Sequence, residues 1–175
     1  MIIVFTGNGK GKTTASLGQA MRALGRGSHV LMLQFIKGPW KSGEDFFTAK
    51  FQISSTKFQI RKMGLGFVGI LGDSLPFQKH KKAAEKAFAM FQRELKKKKW
   101  KLIILDEVNV AVSLKLLNIK KILPVLKKVP LETLVILTGR GAPKEFIKIA
   151  DLVTEMRDLK HPFHDGRLAK AGIEY

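Results

Sequence analysis

The sequence predicts an α/β fold, in which a mostly parallel sheet lies between two layers of helices, in a single domain of residues 1–175. Two observations lead to this prediction. Short apolar segments alternate with helical patterns along nearly the whole chain. The chain is also long enough to bury a substantial core, and 45% of its residues are apolar.

The predicted elements follow one another in a regular order. Apolar runs of strand length lie at residues 2–5, 29–36, 58–63, 102–107, 133–141 and 152–156. Helices are predicted at 13–24, which glycines end, at 83–95, where apolar residues recur on one face, at 119–128, interrupted near Pro124, and after Pro143. The segments 37–46 and 64–77 are predicted loops, because turn-forming residues dominate both and the second holds four glycines and a proline.

The stretch VFTGNGKGKTTASLG, residues 4–18, has the pattern of a phosphate-binding loop. An apolar strand leads into three glycines, whose backbone can bend closely around phosphate oxygens. Lys12 adds a positive charge, and Thr13 can place its hydroxyl on Mg²⁺ at the start of a helix. The spacing departs by one residue from G-x-x-x-x-G-K-[ST], because Thr6 stands where the first glycine is expected. This loop predicts triphosphate binding without indicating which bond of the nucleotide is broken.

Two further polar groups follow apolar strands. Asp106 and Glu107 end the segment LIILDE, an arrangement in which a carboxylate holds the metal of a bound nucleotide directly or through water. Which of the two does so is left open, and in an ATPase Glu107 could instead orient a water molecule. Arg140 ends the next apolar strand and can contact phosphates, or it is a surface arginine of a turn. Since ligands bind at the carboxyl ends of strands in open α/β sheets, all three residues are expected near the phosphate-binding loop.

The charge balance is strongly basic. Lys and Arg number 32 against 14 Asp and Glu, and the net charge of +18 favours polyanionic partners such as nucleotides, nucleic acid or acidic surfaces. Lysine clusters at 79–82 and 96–99 are interpreted as solvated helix faces and ends, because no aromatic residues interleave them, so nucleic acid is not an expected partner. No apolar segment has the length of a membrane span. Without a leader pattern or any cysteine, a cytoplasmic location is the simplest expectation.

Several motifs occur together and in a fixed order. They are TGNGKGKTTASLG, QFIKG, LDEVN, LTGRGAP, ADLVTEMRDLKHPF and the ending GIEY. In this combination the sequence resembles the ATP:corrinoid adenosyltransferases of the cob(I)alamin adenosyltransferase family, the type built on a RecA-like P-loop fold. The likeness spans essentially the whole chain.

The resemblance implies a specific reaction in coenzyme B12 synthesis or salvage. A Co(I) corrinoid attacks the 5′-carbon of ATP and displaces the whole triphosphate, so the protein needs no nucleophile of its own. ATP, Mg²⁺ or Mn²⁺ and a corrinoid substrate are therefore expected, together with a homodimer and a flavodoxin-like electron donor.

The resemblance and the motifs together give the expected site. The expected catalytic residues are Lys12, Thr13 and Glu107, and the expected metal ligands are Thr13, Asp106 and Glu107. The residues expected to contact the nucleotide or the corrinoid are Thr6, Gly7, Asn8, Gly9, Lys10, Gly11, Lys12, Thr13, Thr14, Gln34, Lys37, Phe67, Asn109 and Arg140.

Two departures from the family's pattern are visible. Members commonly carry Gly-Phe-Thr-Trp in the glycine-rich loop 64–77, where aromatic rings crowd the lower face of the corrinoid and help remove its axial ligand before reduction. Here the stretch is GFVG, so Phe67 is retained, Gly69 takes the tryptophan position, and Ile70 or Leu71 could replace the missing ring. Packing within the loop is the alternative role for Phe67. The chain also begins at its first strand, whereas some members carry an N-terminal helical lid.

Two other functions are consistent with these residues. A RecA-like ATPase or nucleic-acid-binding module would fit the P-loop and the +18 charge. A non-catalytic carrier of nucleotide or corrinoid would fit the missing tryptophan. The products discriminate among them, because only the adenosyltransferase releases triphosphate with an adenosylated corrinoid.

Overall fold

The computed structural model describes residues 1–50, 56–70 and 72–173, so Leu71 and the last two residues of the GIEY motif lie outside the described residues. Six strands form one sheet. They are β1 Ile2–Thr6, β2 Val30–Gln34, β3 Phe58–Lys62, β4 Leu102–Asp106, β5 Leu134–Thr138 and β6 Leu152–Glu155. Their order is β3-β2-β4-β5-β1-β6, and every neighbouring pair is parallel.

Six helices accompany these strands in the described part of the chain. They are α1 Lys12–Gly25, α2 Gly43–Lys50, α3 Phe77–Lys96, α4 Val108–Ser113, α5 Ile119–Leu126 and α6 Lys144–Ile149, with a 3₁₀ turn at Pro162–Asp165. None of the helices within the described ranges is long and apolar enough to cross a membrane.

The sheet has an apolar cluster on each face. Successive strand residues alternate between the clusters, so that Leu31 and Leu33 face one side while Met32 faces the other. Helices α3 to α6 cover the first face, with Phe91 and Phe146 fully buried there. Helix α1 covers the second face. Because the central strands are buried on both sides, they are continuous apolar runs, and the predicted three-layer α/β fold, with a parallel sheet between two layers of helices, is confirmed.

The second helix corrects a sequence prediction, because residues 43–46 were expected to belong to a loop and α2 begins at Gly43. The backbone N–H and the hydroxyl of Ser42 both donate to the carboxylate of Asp45, at 2.8 and 3.1 Å. The bond from the backbone N–H is one half of the capping-box pattern of a helix start, in which the acid three residues on satisfies a free backbone donor. The turn-forming residues before it concealed the SGED signal.

Two smaller differences concern α4 and α5. Helix α4 was not predicted, and it starts directly after Glu107, which has a left-handed φ of 62°. Helix α5 is continuous through Pro124, where an interruption was expected. The proline removes only the bond to the carbonyl of Lys120, which lies on the exposed first turn of a short helix, so water can replace it.

Candidate active site

The loop between β1 and α1 closes around the side chain of Lys12. Gly7 and Gly11 have left-handed φ values of 95° and 116° there. The Lys12 ammonium donates to the carbonyls of Gly7 and Gly9 at 2.8 and 2.5 Å. Burial lowers the pKa of Lys12, the charge of Glu107 opposes this shift, and the charge of Arg140 adds to it. The predicted residues from three strand ends therefore lie within electrostatic range of one another.

Two loop glycines have a packing role that the sequence did not reveal. The N–H of Gly9 donates to the carbonyl of Met156 at 2.7 Å, just beyond β6. A Cβ atom on Gly7 would lie 2.3 Å from the Met156 oxygen, and one on Gly9 would lie 2.5 Å from the Arg157 oxygen. The backbone after β6 thus packs directly against the phosphate-binding loop. A side chain at Gly7 or Gly9 would push these two segments apart.

Asp106 is fully buried and accepts hydrogen bonds from three side chains of the site. One of its carboxylate oxygens accepts from the hydroxyls of Thr13 and Thr138, at 2.9 and 2.8 Å. The other accepts from the Gln34 amide at 3.3 Å. Burial raises the pKa of Asp106, while the charge of Lys37 and the two hydroxyl donors oppose this shift. Thr13 and Asp106, both predicted as metal ligands, are thus in direct contact.

Glu107 occupies the turn between β4 and α4. Its backbone N–H donates to the Thr138 hydroxyl at 2.9 Å. Its carboxylate lies against Gly139, where an added Cβ would come within 3.0 Å of Oε2. Burial and then the negative charge of Asp106 raise the pKa of Glu107 to about 7, while Lys12 and Arg140 oppose the shift. Thr138 was not singled out from the sequence, although it stands in the LTGRGAP motif beside Arg140.

A third carboxylate of the site, Glu44 on α2, was also missed by the sequence analysis. Its Oε1 atom accepts from Lys37 at 2.5 Å and from the Gln34 amide at 3.1 Å. Burial acts to raise the pKa of Glu44, but the hydrogen bond and charge of Lys37 lower it to about 2. Gln34 Oε1 is buried and has no hydrogen-bond partner within the described residues. The predicted residues Gln34 and Lys37 therefore both donate to Glu44. The sequence analysis missed this acid because it lies in the first turn of α2, where a loop was expected.

Asn109 and Thr6 make contacts to the backbone. The buried Asn109 amide donates to the carbonyls of Gly139 and Phe5, at 3.1 and 3.4 Å. Thr6 accepts from the N–H of Ala142 at 3.1 Å. Both side chains therefore hold the turn after β5 against β1. Three other predicted residues, which lie in the phosphate-binding loop and the first turn of α1, have exposed side chains, namely Asn8, Lys10 and Thr14.

Phe67 lies in a loop at the same edge of the sheet and is 48% exposed. Its ring centroid is 6.3 Å from that of Trp40, which was not predicted as a site residue. Gly69 has a φ of 69° and nothing within 4 Å of an added Cβ, and Ile70 is exposed. Position 69 therefore contributes no ring, and Leu71 lies outside the described residues.

Comparison with known proteins places these features in a family. A family model described as ATP:corrinoid adenosyltransferase BtuR/CobO/CobP matches residues 1–175. A corrinoid adenosyltransferase of Escherichia coli K12 is 37% identical over 175 residues, which are 100% of this chain and 85% of that protein. Corrinoid adenosyltransferase CobA of Salmonella typhimurium LT2 is 36% identical over 180 residues, again with 100% and 85% coverage. A KaiC-like protein of Pyrococcus horikoshii OT3 superposes with a TM-score of 0.44 and 19% identity, covering 99% of this chain and 66% of that chain. On the family model that matches residues 1–175 and the two relatives that are 36% and 37% identical, the chain belongs to the ATP:corrinoid adenosyltransferase family.

Proposed function

We propose that this protein transfers the 5′-deoxyadenosyl group of ATP to the Co(I) of a corrinoid and releases triphosphate, in coenzyme B12 synthesis or salvage in the cytoplasm. The observation that carries the proposal is the Thr13–Asp106 hydrogen bond of 2.9 Å, which joins the phosphate-binding loop to the acidic strand end. Family membership over residues 1–175 supports the reaction class. The whole chain is proposed to act as one catalytic domain.

ATP would lie along the loop between β1 and α1. The positive N-terminal end of α1 and the loop N–H groups suit the triphosphate. Lys12 and Arg140 add positive charge, and Lys37, three residues beyond β2, pairs with Glu44. The proposed nucleotide contacts are Thr6, Gly7, Asn8, Gly9, Lys10, Gly11, Lys12, Thr13, Thr14, Gln34, Lys37, Asn109 and Arg140, with Thr6 and Asn109 acting through the backbone they hold.

A divalent metal ion, Mg²⁺ or Mn²⁺, fits the oxygen donors at the end of β4. Thr13 Oγ1 and a carboxylate oxygen of Asp106 are already adjacent, and Glu107 follows in the chain. Hydroxyl and carboxylate oxygens are the ligands that Mg²⁺ prefers. Among the described residues the buried Gln34 Oε1 has no hydrogen-bond donor, while the amide nitrogen of the same side chain contacts Asp106, so this oxygen could accept from a metal-bound water. When bound, the ion would neutralise charge on the triphosphate.

The reaction balances without a nucleophile or base from the protein. The electron pair of Co(I) forms the cobalt–carbon bond to C5′, the C5′–O5′ bond breaks, and its electron pair leaves with triphosphate, so cobalt becomes formally Co(III). The residues therefore have two tasks, to hold the 5′-carbon in line with the cobalt and to stabilise the leaving group. Lys12 serves the second task directly, and Thr13 and Glu107 serve it through the metal.

The remaining partners are proposed from chemistry alone. Phe67 is proposed to contact the corrinoid from the glycine-rich loop. A net charge of +18 suits docking of an acidic flavodoxin-like electron donor, since opposite charges speed such encounters. We also propose a homodimer, by analogy with the family.

The decisive experiment is an anaerobic assay with Mg-ATP and chemically reduced cob(I)alamin. Loss of the Co(I) absorbance is followed while the phosphate products are separated by chromatography. Triphosphate appearing in step with a light-sensitive adenosylated corrinoid is the expected result. ADP and phosphate without corrinoid change would instead identify an ATPase, and binding of both ligands without products would identify a carrier.

A further inference from the structure

The segment between β2 and α2 exposes a tryptophan against the glycine-rich loop. Trp40 is 63% exposed, although its indole rests on backbone. A Cβ atom on Gly66 would lie 2.7 Å from ring atom Cη2, and one on Gly38 would lie 2.9 Å from Cζ3. Since Gly66 also has a left-handed φ of 111°, the backbone beneath the indole admits only glycine there. Two segments of the chain thus support one side of the ring and leave the rest open.

Trp40 and Phe67 form a paired aromatic surface. Their ring centroids are 6.3 Å apart, with an angle of 31° between the ring planes. Both rings remain about half exposed or more, so their contact with each other does not bury them. An exposed aromatic pair, of which the indole is supported by backbone, is suited to contact a flat apolar ligand.

The paired surface is tied to the phosphate site through a chain of polar contacts. The Lys62 ammonium donates to the Trp40 carbonyl and to Asp45, the latter at 2.5 Å. Asp45 and Glu44 are neighbours in the first turn of α2, and Glu44 accepts from the Gln34 amide that also reaches Asp106. The backbone of Trp40 is therefore connected, through Lys62 and the first turn of α2, to the hydrogen bonds that surround Asp106.

We propose that Trp40, together with Phe67, contacts the flat macrocycle of the corrinoid and holds it toward the bound nucleotide. The inference rests on the proposed function, because a corrin ring is the one large flat substrate in that reaction. Trp40 is a binding and positioning residue here, and the ATP contacts do not involve it. Simple packing of the β2–α2 segment against the loop is the competing explanation, and it predicts a change in stability instead of a change in corrinoid affinity.

The test compares Trp40→Ala, Trp40→Phe and a control, Leu131→Ala, since Leu131 is 96% exposed and precedes β5 at the opposite edge of the sheet. Corrinoid KM is measured with cob(I)alamin at saturating Mg-ATP, and the ATP KM at saturating cob(I)alamin. We expect Trp40→Ala to raise the corrinoid KM about tenfold, a size typical of a lost aromatic contact with its buried area. The ATP KM should stay unchanged, Trp40→Phe should recover most of the loss, and the control should match the wild type.

A binding measurement separates this proposal from the proposed reaction. Cob(II)alamin is titrated into each protein with Mg-ATP present, and free corrinoid is measured after equilibrium filtration. Weaker binding by Trp40→Ala alone, with an unfolding midpoint equal to that of the wild type, supports the proposal even if no triphosphate forms. Unchanged cob(II)alamin binding, or equal increases in both KM values, would overturn it. If the wild type binds no corrinoid, both the inference and the proposed function are wrong.

Discussion

The hydroxyl of Thr13 donates to a carboxylate oxygen of Asp106 at 2.9 Å, across 93 residues of sequence. The contact joins the first turn of α1 to the end of β4. It is possible because one strand, β5, separates β1 from β4, so that the loop after β1 reaches across to Asp106. The order of the strands therefore brings the predicted metal ligands Thr13 and Asp106 into contact.

Replacing Lys12 should abolish adenosyl transfer. We expect Lys12→Ala to lower kcat/KM by about a hundredfold or more, because it removes a charge that stabilises the departing triphosphate. Triphosphate release from Mg-ATP and cob(I)alamin is the measurement. Lys86→Ala is the control, since Lys86 is an exposed lysine on α3 and is not among the proposed nucleotide contacts. Near-normal turnover in Lys12→Ala would contradict the assigned role.

Phe67 should matter more before the transfer step than during it. We expect Phe67→Ala to slow the reaction that starts from Co(II) more than the reaction that starts from chemically reduced Co(I), because its proposed role precedes the attack on C5′. Initial rates with the two forms of cobalamin, at equal enzyme and ATP concentrations, measure the difference. Equal losses in both assays would contradict a role before the attack and would leave Phe67 only the corrinoid contact proposed with Trp40, or a role in folding.

Thr138 should stabilise the fold through Asp106. Its hydroxyl donates to Asp106 at 2.8 Å and accepts from the N–H of Glu107, so Thr138→Val removes one of the two donors to Asp106 Oδ1 and takes the acceptor away from the Glu107 N–H. We expect the free energy of unfolding to fall by about 1–3 kcal/mol in urea denaturation. Thr154→Val on the exposed edge strand β6 is the control. A similar small effect in both variants would show that the hydroxyl of Thr138 is dispensable.

Glycines of the phosphate-binding loop and of α1 should tolerate alanine only where no neighbour approaches. Gly9→Ala would place a Cβ 2.5 Å from the Arg157 oxygen, so we expect a lower unfolding temperature and weaker ATP binding. Gly18 lies on α1 with nothing within 4 Å of an added Cβ, and Gly18→Ala should stabilise the protein by about 0.5–1 kcal/mol. Thermal unfolding of the two variants and the wild type tests both signs. A neutral Gly9→Ala would mean that the chain after β6 does not need this contact.

Glu94 should make stability depend on pH in the acid range. It is buried and accepts from Trp100, Lys97 and Arg61 at 2.9 to 3.0 Å. Burial acts to raise the pKa of Glu94, but these donors lower it to about 2, below its value of 4.5 in the unfolded chain. The carboxylate therefore stabilises the fold fully above about pH 4.5, and this contribution is lost as the pH falls toward 2.

Urea unfolding of Glu94→Gln across this range measures the effect. The variant should be about 1–3 kcal/mol less stable than the wild type at pH 7 and should converge with it near pH 2. Glu85→Gln, at an exposed position on the same helix, should follow the wild type throughout. A constant difference between Glu94→Gln and the wild type at all pH values would exclude ionisation as the cause.

Local pattern was enough to predict the sheet strands, helix α3 and the phosphate-binding loop. Burial of the central strands on both faces requires continuous apolar runs, and the side chains of α3 that face the core repeat with the helical period. Both patterns can therefore be recognised from neighbouring residues alone. The same holds for Asp106 and Glu107, which end an apolar strand and in parallel sheets must lie at the ligand-binding edge. The helix α2 had a local signal too, in Ser42 and Asp45, but nearby turn-formers obscured it.

Contacts between distant segments were decided only by the tertiary structure. The packing of Gly7 and Gly9 against Met156, the support of Asp106 by Thr138, and the pairing of Trp40 with Phe67 all join different elements. The sequence by itself determined which segments form buried strands, which loop can bend around phosphates and where the charged side chains lie along the chain. These properties depend on the residues themselves and on their near neighbours. Which of them touch depends on strand order and register, and these arise from the packing of the whole sheet and not from any single stretch of the chain.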